Sequence, residues 1–120
     1  MKTTIKKIHV KATNNGGDDC SYDTKVVVFK DIQVRFCGCG GSPIIIQSSC
    51  GRPMYDYSGE TFNIGCVKCG NRGFSLHNGN YSNIDKFNKD TIKIVEKLIS
   101  KWNKCFGHRN YNKINFTTNC

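Results

Sequence analysis

The chain has 120 residues, 38% of them hydrophobic, with 18 Lys and Arg against 9 Asp and Glu and a formal charge of +9. That length admits one modest domain and excludes two ordinary ones, and no stretch approaches the roughly 20 apolar residues that span a bilayer. A core this small gains from a crosslink or a metal, and eight cysteines supply the means.

The opening segment, MKTTIKKIHVKA, alternates polar and apolar residues. It never forms the apolar run of roughly 7–15 residues that marks a secretory signal. The chain therefore reads as cytoplasmic, where thiols stay reduced and paired cysteines point to metal rather than to disulfides. Ile8, Val10 and Ala12 alternate with polar neighbours and predict a strand, and NNGGDD at 14–19 predicts a loop. KVVVFKDIQVRF at 25–36 predicts a second strand, with Ile32, Val34 and Phe36 on one face. The two make an N-terminal hairpin over 1–36 that leads into the first cysteine pair. SPIIIQSS (42–49), TFNIGC (61–66) and RGFSLH (72–77) predict three shorter strands, with a Gly- and Pro-punctuated loop at 50–60.

A helix is predicted within 82–105. Ser82 with Asp85 suits a capping box, and Asp90 suits the cap of a shorter helix. Ile92, Val95, Ile99 and Trp102 fall on one face; Lys86, Lys89, Lys93, Lys97, Lys101 and Lys104 fall on the other. Residues 106–120 carry no period and read as a tail that frays or packs in extended form.

Cys66-x2-Cys69-Gly70 has the spacing of a zinc knuckle, with a glycine that permits the turn and brings amides near the sulfurs. Cys37-x-Cys39-Gly40-Gly41 is tighter; alternate residues of an extended chain face one way, so both thiolates can reach one metal. Cys50 is the alternative to Cys37. The expected site is one zinc held by Cys37, Cys39, Cys66 and Cys69, a closed structural set rather than a catalytic one. Cys105-x2-His108 also has ligand spacing, which makes those two residues and Cys50 candidates for a second zinc. His9 and His77 read as surface or strand residues. Zinc on four thiolates would bring the charge to about +7, so an acidic partner is favoured.

Cys39-Gly40-Gly41, Cys66-x2-Cys69-Gly70-Asn71-Arg72-Gly73 and Leu98-Ile99-x2-Trp102-Asn103 together resemble the restriction alleviation (Lar-like) zinc-ribbon proteins of phages and prophages. The resemblance covers residues 36–104, with Phe36 standing where that family has its first cysteine. It implies a zinc ribbon with its helix over 37–105; the hairpin 1–36, which that family lacks, is expected to pack on it as an extension, and 106–120 to follow as a tail. It also implies a counter-defence role in the host cytoplasm, through a host restriction–modification protein complex. Trp102 and Ile99 are expected to cover the ribbon, and Asn103 to cap a backbone group near the helix end.

The whole reads as a small α+β protein: β-hairpins with a four-cysteine zinc site and one amphipathic helix. No acid pair, activated nucleophile or phosphate loop suggests an enzyme or a small-molecule substrate. The alternative function is general nucleic-acid or transcription-associated binding, in which Lys86, Lys93, Lys97, Lys101 and Lys104 meet phosphates without reading sequence.

Overall fold

The β-branched run at 25–36 forms the C-terminal two-thirds of β2 (Asp19–Cys37), the longest described strand of the computed structural model. The structure describes residues 1–13, 19–48, 60–79 and 83–117. β1 (Lys2–Thr13) pairs antiparallel with β2, Ile5 opposite Val27 and Thr3 opposite Phe29. β3 (Ile44–Ser48), β4 (Glu60–Cys66) and β5 (Asn71–Asn78) form a second antiparallel sheet in that order. Helix α1 (Ile84–Cys105) packs on β2, β4 and β5, so it joins the two sheets.

Of the two forms expected after the helix, the packed, extended one is seen over 107–117, and residues 118–120 lie outside the described ones. Residues Gly107–Thr117 form β6, which pairs antiparallel with β2 and completes a sheet of order β1-β2-β6. Backbone hydrogen bonding to an existing strand determines this segment, and side-chain periodicity does not report it.

One extra residue in β2 organises the core. Val27 and Phe29 face inward from odd positions, Ile32 and Val34 from even ones. The register slips between Phe29 and Ile32, so two residues of β2 oppose one of β6. Asp31 lies in that bulge at φ 53, a left-handed conformation that Asp tolerates better than most residues. Its carboxylate is 3.4 Å from Lys2 Nζ. A second slip, between Arg35 and Cys37, goes with Cys37 turning into the core while Phe36 is half-buried.

The helix is capped by Asn83, not by Ser82, which lies outside the described residues, nor by Asp90. The Asn83 side chain accepts from the amides of Asp85 at 2.9 Å and Lys86 at 3.2 Å. Asn83→Ala should therefore lower stability by about 1 kcal/mol, read as a shifted denaturant midpoint at unchanged slope.

The buried stripe is also rotated from the expected one. Phe87, Asn88, Thr91, Val95, Leu98 and Trp102 are buried, while Ile92 and Ile99 are half-buried at its margin. Two polar members of the stripe are held by cross-element bonds. Asn78 donates to the Phe87 carbonyl at 3.0 Å and to Thr91 Oγ1 at 3.2 Å, and Asn88 donates to the Lys25 carbonyl at 3.3 Å.

Candidate metal centre

Two turns carry the four clustered cysteines. At the end of β2 the chain reverses: the Gly40 amide donates to the Cys37 carbonyl and the Cys37 amide to the Gly41 carbonyl, each at 2.8 Å. The first pair therefore sits on a tight turn and not on the extended chain expected of a one-residue spacer. Between β4 and β5 the Gly70 amide donates to the Cys66 carbonyl at 3.0 Å. Each pair is followed by a glycine in the left-handed region, Gly40 at φ 87 and Gly70 at φ 78, where a side chain would be strained.

The sulfurs of Cys37, Cys39, Cys66 and Cys69 all lie within 4.8 Å of one another. Cys37 and Cys69 are 3.7 Å apart, and Cys39 and Cys66 are 3.5 Å apart. A tetrahedron of thiolates at about 2.3 Å from a metal has edges of about 3.8 Å, so the donor set fits a tetrahedral cation. The fit extends to the backbone. Gly41 donates to Cys39 Sγ at 3.4 Å, and a Cβ there would come within 2.8 Å of Cys66 Sγ and 2.9 Å of Lys68 Cβ. Only a bare residue lets that amide reach the Cys39 sulfur this close to Cys66.

Electrostatics favour the same conclusion. The Cys39 amide favours the Cys37 thiolate. Burial and the sulfurs of Cys39, Cys69 and Cys66 oppose it and prevail, pushing the Cys37 thiol up from 9.0 to about 12. Four thiolates at this spacing repel one another, and a multivalent cation relieves that repulsion.

The helix positions the first turn. β1 pairs with β2 only as far as Lys30, so the edge of β2 beyond it has no β1 partner. There Trp102 Nε1 donates to the Arg35 carbonyl at 3.0 Å, and Asn103 Oδ1 accepts the Arg35 amide at 2.8 Å. Two adjacent side chains thus take both backbone groups of a residue just ahead of Cys37, as a neighbouring strand would. Asn103 serves β2, not the helix end. Trp102 is fully buried beside Leu98 and Val95, while Ile99 packs on the core from its margin. Phe106 lies 5.4 Å from both Trp102 and Phe74, closing an aromatic group behind the helix end.

The remaining candidates are dispersed. Cys105 and His108 are exposed at the helix end and belong to no metal-binding group; among the described residues the four-cysteine set is the one such group. Cys105 is not helix core either. Cys50 lies outside the described residues. His9 and His77 are exposed strand residues, 2.7 Å from Asp23 and 3.3 Å from Thr61 Oγ1 respectively. Lys86, Lys93, Lys97 and Lys104 are exposed, but Lys101 is half-buried with its Nζ 5.6 Å from the centre of the Phe74 ring. Cysteine spacing, with the glycines that follow, points to the four cysteines that the structure brings together. The roles of Gly41 and Arg35 went unseen, though the Gly-Gly after Cys39 was a visible sign of the first.

No protein-family model, curated protein or solved structure matches the chain. Among the described residues, no helix is long and apolar enough to cross a membrane.

Proposed function

We propose that the chain is a zinc-ribbon binding protein whose metal is structural and whose work is recognition. The observation that carries this is the meeting of four sulfurs within 4.8 Å on two glycine-terminated turns. Four thiolates close the coordination sphere and leave no open position for a substrate or an activated water. A tetrahedral thiolate set suits zinc or iron; zinc is our assignment, so the purified protein should be colourless and carry one zinc per chain. Given the resemblance to the restriction alleviation family, the proposed partner is a host defence protein complex, engaged in the cytoplasm of the host cell.

A second reading, nucleic-acid binding, draws support from the exposed lysines of α1. The two separate experimentally. Phosphate contacts weaken with salt by about 0.9 log units per contact for each log unit of salt. A triple Lys86→Glu, Lys93→Glu, Lys97→Glu variant should keep the fold, since all three are exposed, and would abolish such binding. On the favoured reading, zinc-loaded protein retains one defined complex from host lysate after nuclease treatment, and the triple variant retains it too. Tight binding to DNA or RNA near 0.15 M salt with no protein retained would reverse the ranking.

A further inference from the structure

The side of the β3–β4–β5 sheet turned away from the core combines apolar exposure, a cation and a concavity. Ile44 and Ile46 on β3 are 37% and 50% exposed, and Val67 on the second cysteine turn is 73% exposed. The strand register places Gly65 opposite Ile44 and Asn63 opposite Ile46. All five line a hollow of about 480 Å³, within the range that receives a small ligand or a few side chains. Gly65 keeps its floor bare: a Cβ there would come within 2.8 Å of the Asn71 carbonyl oxygen. Exposed aliphatic side chains gathered at one hollow mark an interaction site more often than chance exposure does.

The chemistry of the lining selects the occupant. Arg72 is the one charged residue among the described lining residues, and no carboxylate accompanies it. A guanidinium beside an apolar floor suits a carboxylate flanked by apolar side chains, which it can hold through two parallel hydrogen bonds. Nucleic acid fits less well. Single strands want aromatic stacking platforms and several phosphate contacts, and the described lining offers aliphatic chains, the neutral polar Asn63, Asn71 and Ser75, one cation and no aromatic ring. A second copy fits less well too, because each chain carries a formal charge of +9 and like charges oppose close approach.

We propose that this face docks an acidic, apolar segment of a partner protein, its apolar side chains on Ile44, Ile46 and Val67 and a carboxylate on Arg72. The inference rests on the metal reading, because Cys66, Val67 and Gly70 form one wall of the hollow and the metal would hold that wall in place.

The test is selection from a displayed library of random linear peptides on zinc-loaded protein, followed by titration of the synthesised consensus peptide. The expected consensus has one or two large apolar residues beside Asp or Glu. Its affinity should fall at least about tenfold, the loss typical of a central interface residue, on Ile46→Asp and on Arg72→Glu, and stay unchanged on Lys93→Glu. Arg72→Glu should regain binding to a peptide whose acids are replaced by Lys. No enrichment, a basic consensus, or indifference to Ile46→Asp and Arg72→Glu would overturn the docking proposal. So would dimerisation through this face, or its occupation by an oligothymidine. Metal content and melting are measured in parallel. Metal-bound protein without an acidic consensus sinks this inference alone, and an acidic consensus on metal-free folded protein sinks the metal reading alone.

Discussion

Chelating the metal should unfold the protein rather than loosen it. Structural zinc sites contribute roughly 10–16 kcal/mol in small metal-dependent domains, whereas whole domains are stable by only about 5–15 kcal/mol. Here two of the four clustered cysteines, Cys37 and Cys66, are themselves members of the hydrophobic core. Losing the metal therefore disturbs the core and the two turns together. Cys66→Ser should abolish the cooperative thermal transition and most of the helical circular dichroism, and a strong chelator should do the same to the wild type. Because the thiols must shed protons to bind, metal affinity should fall as pH is lowered. A sharp melt with full helicity after chelation would show that the cluster is not a metal centre on which the fold depends.

Trp102→Ala should be the most damaging change away from the cysteines, at about 3–5 kcal/mol for a fully buried aromatic. Its indole also satisfies the Arg35 carbonyl, 3.0 Å away. Trp102→Phe separates the contributions, keeping most of the apolar contact and leaving that carbonyl without its donor. Asn103→Ala should cost about 0.5–1.5 kcal/mol by removing the side-chain oxygen that accepts from the Arg35 amide. Native tryptophan fluorescence should be blue-shifted, and should move to the red on chelation. A water-like emission maximum in the folded, metal-loaded protein would contradict the docked helix.

Features governed by side-chain period or by cysteine spacing were legible in the amino-acid sequence. The alternating run at 25–36 lies within β2, the helix occupies 84–105, and the four cysteines that cluster come from two short-range pairs. What escaped depends on backbone geometry or on polar groups. The bulge at Asp31 changes which parity of β2 faces inward, and no count of alternating residues reveals a single inserted position. The helix stripe was misplaced because Asn88 and Thr91 look like surface residues. They are buried only because Asn78 and the Lys25 carbonyl supply partners, and their inclusion shifts the centre from Ile99 to Leu98. β6 carries Gly107, Asn110, Asn112 and Lys113, a weak strand composition, and its pairing partner lies about 80 residues earlier in the chain.

The cluster is also lopsided. Each turn contributes one buried cysteine, Cys37 or Cys66, and one exposed cysteine, Cys39 or Cys69. An incoming competitor, whether a chelator, an oxidant or another metal-carrying thiol, meets only the outer two. Were an ion bound there, a competitor would displace Cys39 and Cys69 first, while Cys37 and Cys66 still held the ion. Transfer of the ion to that competitor would then not have to wait for global unfolding, so a centre on which the fold depends would still exchange its metal quickly.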